Sequence, residues 1–327
     1  MKDRKRAAAV AFIVIVSSVC ILLWAGSLHI PFEHFVRSVF SWGDEFTAQE
    51  RVVVWQLRWP RIVLALTVGA ALATAGACQQ AIFKNPLAEP FILGISGGAA
   101  LGAAIAIVLG KPGYINIAAF VGGIGTIFTV KALDARFATT KSVTHLLLAG
   151  VAISALANAA LSAIMAVYSQ QMQVIFFWIM GSVAMPPDNY PLICVFIFIA
   201  ILAVMSYSRE LDMISLGDEQ AFFLGVEVKK VRNIVLLLSA MMTSLAVSMS
   251  GAIGFIGLVV PHLLRNAVGS SHMVLLPLSA IWGGILLLWA DGLIRLTPWF
   301  ATLPIGVITA LFGAPFFLYI LWTRGRA

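Results

Sequence analysis

Apolar residues along this chain come in long unbroken runs, without the alternation of a half-buried strand. Ten such runs can be drawn, at about 7–28, 62–83, 91–110, 112–130, 146–168, 190–208, 233–250, 252–267, 273–294 and 304–323. Most reach the roughly 20 residues that a helix needs to cross about 30 Å of hydrocarbon. The run at 252–267 is short and holds Pro261, His262 and Arg265, which makes it the least regular of the ten. The alternating polar signal of a barrel is absent, so the runs predict helices. Polar positions gather instead in one stretch, 209–232, which reads RELDMISLGDEQAFFLGVEVKKVR. Within it, Ser215–Val226 sets Leu216, Phe222, Phe223, Leu224 and Val226 against Asp218, Glu219 and Gln220, and Gly217 and Gly225 divide it into two short pieces. Alone, the stretch reads as a solvated loop helix. Placed between long apolar spans, it is also a surface that a membrane protein can present to a soluble partner.

Composition settles the class. Hydrophobic residues make up 61% of 327 and charged residues only 11%, with a mean hydropathy of +0.99. Soluble domains sit nearer half apolar and a quarter charged, so this is an integral membrane protein of the all-α class, a single transmembrane domain over 1–327. Fifteen of the 21 Lys and Arg fall in segments that an inside N-terminus places in the cytoplasm; the six outside are Arg37, Arg51, Arg58, Arg61, Lys111 and Arg295. That asymmetry predicts about ten transmembrane helices with both termini cytoplasmic. It also accounts for the net charge of +7 without nucleic acid, since the basic residues act as topological anchors. The basic start followed by an apolar run resembles a signal peptide. Its length and the absence of a small-residue cleavage site favour a first spanning helix.

Little in the chain points to chemistry. Cys20, Cys78 and Cys194 all lie within apolar runs without paired spacing and read as small apolar fillers. No two of the five histidines stand i, i+4 on one expected helix, so no metal site is expected. Metalloprotease, nucleophile-elbow and phosphate-loop motifs are absent, as is an aspartate-rich pair. Asp291 lies four residues before Arg295, which suggests an i, i+4 pair, and Arg58 and Arg61 flank Pro60 at the outer start of the second run. Snorkelling to the interface is the plain reading of these arginines; a positive rim that docks an acidic partner is the functional one. A ladder of intramembrane acids or histidines is missing, which counts against a proton-coupled secondary transporter. Uphill movement would then draw its energy from another chain, pressing on 209–232. The runs VGAALATAGACQQA and GISGGAALGAAIA allow close helix approach. The connection Lys84–Pro90 between them is stiffened by Pro86 and Pro90, as a simple turn or as part of a gate.

Several blocks together carry a resemblance: LRWPR at 57–61, VGAAL at 68–72, NPLAEP at 85–90, LGD and LGV at 216–218 and 224–226, GAIGFIGLVVPH at 251–262, and LPIGV at 303–307. In this order and spacing the chain resembles the permease subunits of the iron-siderophore, haem and vitamin B12 family of ABC importers, nearly end to end. The resemblance implies ten helices per subunit in a homodimer, with the substrate path along the dimer interface. It implies two ATP-binding-cassette subunits below, gripping coupling helices that match Ser215, Leu216, Gly217, Asp218, Glu219, Gln220, Ala221, Leu224, Gly225 and Val226. A periplasmic or lipid-anchored substrate-binding protein is implied above, its acidic side chains meeting arginines that match Arg58, Arg61 and Arg295. The cytoplasmic gate maps onto Asn85, Leu87, Val143 and Thr144, with Val143 departing from the family's hydroxyl residue. The path is expected along 146–168 and 304–323, inert in character, which fits the small and apolar residues of Gly150–Ala166. The chain itself is expected to bind no cofactor and no metal and to be no enzyme; ATP and Mg²⁺ belong to the partner ATPase. The expected setting is the lipid of a bacterial inner (plasma) membrane. The expected cargo is a ferric siderophore or haem first, cobalamin close behind, and an oxyanion such as molybdate third.

Overall fold

In the computed structural model, which describes residues 2–26, 28, 30–40, 46–137 and 143–324, every regular element is helical. In chain order the helices are α1 (Lys2–Trp24), α2 (Phe32–Phe40), α3 (Ala48–Arg51), α4 (Trp59–Ile82), α5 (Ile95–Val108), α6 (Ile115–Phe137), α7 (Val143–Val167) and α8 (Met172–Met180). They continue with α9 (Tyr190–Met205), α10 (Ser208–Leu216), α11 (Asp218–Phe223), α12 (Val228–Ser250), α13 (Ile256–Val268), α14 (His272–Leu296) and α15 (Ile305–Arg324). A π-helical turn, Val52–Arg58, runs without a break from α3 into α4. Each of the ten apolar runs coincides with one helix. Five spans are long and apolar enough to cross a membrane: Ala48–Ile82, Pro112–Arg136, His145–Val167, Val228–Ser250 and His272–Leu296. A sixth forms if α9 and α10, bent by 54°, are taken together. The expected run at 252–267 becomes the 13-residue α13, which at 1.5 Å per residue reaches only about 20 Å.

The bundle is built around α4, whose long apolar window is 78% buried, against 17% for that of α7. α4 therefore sits in the centre, and α7 leaves most of its surface open. Small residues explain how α4 takes so many neighbours. A Cβ on Gly69 would overlap the Gly283 carbonyl of α14, and one on Gly76 would overlap the Gly257 carbonyl of α13. Without a hydrophobic driving force in lipid, such close backbone approach supplies the van der Waals contact that holds helices together. α5 and α6 meet in the same way through Gly98 and Gly122.

Several elements are too short to span and end inside the bundle. α8 has nine residues, about 13.5 Å of helix. Its C-terminal end meets the breaks after α12 and before α15. Ser182 N–H donates to Ser250 O at 2.7 Å, Ala252 N–H to Ile179 O at 3.3 Å, and Ile305 N–H to Gly181 O at 3.2 Å. Broken helices are tolerated there because the freed backbone groups satisfy one another.

Candidate functional site

The polar stretch folds into two short helices, α10 and α11, before the start of α12. α10 buries Leu211 and Ile214, and Asp212 ties it to the start of α14, accepting from the His272 backbone N–H at 2.7 Å and the Ser271 hydroxyl at 3.2 Å. Gly217, at φ 146° and ψ 148°, breaks the helix, and α11 begins with Asp218 and Glu219, acids that suit a helix N-terminus. Ala221 and Val226 face inward, while Leu216, Phe222, Phe223 and Leu224 are 67%, 70%, 84% and 59% exposed. Four large apolar side chains this exposed on one polar loop mark a contact surface. Ser215 donates its hydroxyl to Leu211 O at 2.8 Å, and Glu219, Gln220 and Gly225 face outward.

Asp218 has a different role from its neighbour. Lys84 Nζ donates to its Oδ1 at 2.7 Å, and Arg232 Nη2 lies 2.9 and 2.8 Å from its two oxygens. Partial burial pushes this carboxyl up, but the bonds from Lys84 and Arg232 outweigh it and hold it below the ordinary carboxylate range. α11 is thus fastened both to α12 and to the Lys84–Pro90 hairpin.

That hairpin contains the first half of the expected gate. Asn85 Oδ1 accepts the Leu87 N–H at 2.9 Å and Asn85 O accepts the Ala88 N–H at 3.1 Å, an Asx-type turn closed by Pro86. Leu87 stands out from it, 38% exposed. Pro86 packs around a small apolar cavity with Leu258, Val259, His262, Phe316 and Phe317, which seats the hairpin on α13 and α15. The second half, Val143 and Thr144, opens α7; their side chains lie outside the described residues.

The three arginines expected to dock a binding protein, Arg58, Arg61 and Arg295, all have partners within the chain. Arg58 is 5% exposed and caps the C-terminal end of α1, donating to Leu23 O and Trp24 O at 2.7 Å and to Leu28 O at 2.9 Å. The π-turn turns it inward while leaving Leu57 exposed. Arg61 grips Asp291 with Nε at 2.8 and 2.9 Å and Nη2 at 2.6 Å. Arg295 Nε lies 3.1 Å from Asp291, the i, i+4 pair expected from spacing, and its Nη1 donates to Leu22 O at 3.2 Å. The geometry joins α1, α4 and α14 around one buried carboxylate, a role that a reading of charge alone does not reveal.

Beside α15 lies an open groove of about 590 Å³, walled by Ile179, Met180, Ala252, Gly306, Val307, Ala310, Leu311, Ala314 and Pro315. Its lining is almost wholly apolar and small. α15 lines this groove and α7 does not. Among the described residues no cluster of His, Cys, Asp or Glu could hold a metal.

A model of the FecCD transport family matches residues 13–323, from α1 through α15. The chain belongs to the FecCD transport family. FecCD relatives include the cobalamin import system permease protein BtuC of Halobacterium salinarum, 41% identical over 287 residues, which are 87% of this chain and 76% of that protein. The vitamin B12 import system permease protein BtuC of Escherichia coli strain SE11 is 39% identical over 286 residues, 87% of this chain and 88% of the other. A solved structure described as an inward-facing conformation of a metal-chelate type ABC transporter matches with a TM-score of 0.86 and 32% identity, covering 98% of this chain and 99% of that one. PsaBC from Streptococcus pneumoniae, in complex with Fab, matches at a TM-score of 0.56 and 18% identity over 83% of this chain and 93% of that one, and so shares the fold alone. As a FecCD member with these apolar helices, the protein is a multi-pass membrane transport protein.

Proposed function

We propose that this FecCD chain is the permease subunit of an ATP-driven importer that moves cobalamin, or a chelate of similar size, to the cytoplasm by alternating access. The observation that carries the ATP-driven reading is the exposed apolar ridge Leu216, Phe222, Phe223 and Leu224 on a loop fastened into the bundle by Asp218 and Asp212. A ridge so mounted receives force from outside and passes it inward. No phosphate-binding loop is present in the sequence, so hydrolysis belongs to separate ATPase subunits, one gripping each coupling loop of a permease homodimer. Relatives about 40% identical that bear the names cobalamin and vitamin B12 permease support the cargo and move it ahead of ferric siderophore and haem.

In this reading one transmembrane domain sits in the plasma membrane with both termini cytoplasmic. Its ten spans comprise the five long ones, α9 and the four shorter apolar helices. The apolar groove beside α15 becomes half of the path when a second copy closes it. Smooth walls without convergent polar groups suit release of a bulky ligand handed over by a binding protein. Docking of that protein draws on the net positive potential of Arg58, Arg61 and Arg295 around the single Asp291, with Arg61, 20% exposed in its side chain, the most accessible. Asn85, Leu87, Val143 and Thr144 form the cytoplasmic gate.

The test is ATP hydrolysis and uptake in proteoliposomes holding this chain and its ATPase, with binding protein loaded with cyanocobalamin, haem or a ferric siderophore. Stimulated hydrolysis with uptake of cyanocobalamin is the expected result. Uptake of a different chelate alone would replace the cargo, and no stimulation by any would remove the importer reading.

A further inference from the structure

Among the described residues, the two non-glycine residues with positive φ are Lys84, at 48°, and Phe255, at 69°. Side chains with a Cβ rarely adopt this region, and such conformations persist only where the surroundings hold them. Both are held by the same short piece of chain. At one end Lys84 Nζ donates to Asp218 of α11 at 2.7 Å. At the other, the Glu89 carboxylate accepts the backbone N–H of Phe255 at 2.8 Å, across 166 residues of sequence. Between them Pro86 and the Asn85–Leu87 turn, with Pro90 directly after Glu89, leave little room for the hairpin to flex. Beyond Phe255 the chain of contact continues. Its ring lies so close to Gly313 of α15 that a Cβ there would overlap it, and Gly313 falls between Ala310 and Ala314 of the groove wall.

We propose that Lys84–Pro90 is a stiff connecting rod from α11 to the centre of the bundle, with Lys84 and Glu89 as its positioning residues. Displacement of α11 pulls Lys84 through Asp218; the hairpin moves as a unit; Glu89 carries the motion to Phe255 and so to the α15 wall of the groove. Asn85 and Leu87 lie on the rod itself, so the inner mouth and the groove wall shift in one step. The inference rests on α11 being the face on which an ATPase acts.

Two arms test it. In the first, the chain carries a nitroxide at Leu87→Cys after replacement of Cys20, Cys78 and Cys194, and is studied by electron paramagnetic resonance in lipid nanodiscs without any partner. Lys84→Ala and Glu89→Ala are expected to mobilise the label. Lys84→Arg and Glu89→Gln, which keep a donor and an acceptor, are expected to leave it immobile. Unchanged mobility in both alanine variants overturns the rod whether or not the protein is an importer. In the second arm the complex with ATPase and binding protein is assayed in proteoliposomes with cyanocobalamin. Lys84→Ala is expected to keep hydrolysing ATP while cobalamin moved per ATP falls about tenfold, in the range of ordinary coupling free energies. A loss of hydrolysis and transport together would show a merely structural role, and an unchanged yield per ATP would also refute the rod. If the unsubstituted complex moves no cyanocobalamin, the cobalamin reading has failed and the label arm alone decides the rod. Lys84, with 38% of its side chain exposed, keeps the test open even if Glu89→Ala does not fold.

Discussion

Replacing Asp291 by Leu removes the one carboxylate around which the outer ends of α4 and α14 are joined. Asp291 is 1% exposed and Arg61 20%, so neither charge is substantially screened by solvent. Arg61 makes three contacts to it at 2.6–2.9 Å, and Arg295 approaches to 3.1 Å. Each hydrogen bond to a charged group contributes about 1.5–3 kcal/mol, and removing one partner of a buried pair costs about 3–5 kcal/mol because the other is left uncompensated. Asp291→Leu strands two arginines at once, so the upper part of that range is expected. Arg61→Met should cost less, about 2 kcal/mol, since Arg295 still faces Asp291. The double substitution should be no worse than Asp291→Leu alone, which gives a coupling energy of about 2 kcal/mol in the cycle. Unfolding in mixed detergent micelles, followed by the fluorescence of the nine tryptophans, measures all four proteins. Additivity of the two substitutions within about 0.5 kcal/mol would refute the reasoning. A pure docking role for Arg61 predicts another pattern: unchanged unfolding with weakened affinity for the binding protein.

Three further outcomes follow from the geometry. Gly76→Ala should abolish a monodisperse peak in size-exclusion chromatography, because its Cβ would overlap the Gly257 carbonyl, whereas Gly125→Ala, with nothing within 4 Å, should elute as the unsubstituted chain does. Phe223→Asp should leave the unfolding midpoint unchanged, the side chain being 84% exposed, yet reduce co-purification of the ATPase; retained co-purification would remove α11 from the interface. The Asp218 carboxyl sits below its ordinary value of 3.8, so its contribution is complete above that value and is lost as pH falls through the lower folded-state value. In the Glu89→Gln background, which removes a second carboxyl of the same hairpin that burial pushes up, the Leu87 label should therefore show constant mobility from pH 8 to 5, and loosening between those values would contradict the assignment.

Much of the fold was legible because a bilayer imposes simple demands. Long apolar runs become α4, α6, α7, α12 and α14, and Gly217 breaks the polar segment where its sequence suggests. α8 was not legible: MQVIFFWIM is apolar enough to enter the bundle but too short to register as a span. α13 registered only weakly for the same reason. At the candidate site, the exposed ridge of α11 follows from local pattern, since amphipathicity over a few residues is local. Arg58 shows where locality ends. Its position beside Pro60 says only that a cation lies near the outer surface; the π-turn decides that it turns toward α1. Glu89 and Phe255, 166 residues apart, leave no trace in either segment, because a backbone N–H is the same donor whatever its side chain.

The glycine contacts along α4 also constrain how the protein can move. At Gly69 against Gly283 and at Gly76 against Gly257, backbone meets backbone with no side chain between. Side chains can hop between rotamers and let helices slide, but two main chains in contact have no such lubricant. A shift of one helix past the other would drive a carbonyl into the neighbouring chain. α4, α13 and α14 therefore behave as a keel, one solid piece on which everything else is hung. Whatever opens and closes in the transport cycle must hinge around that keel, on the loosely covered side where α7 and α15 stand.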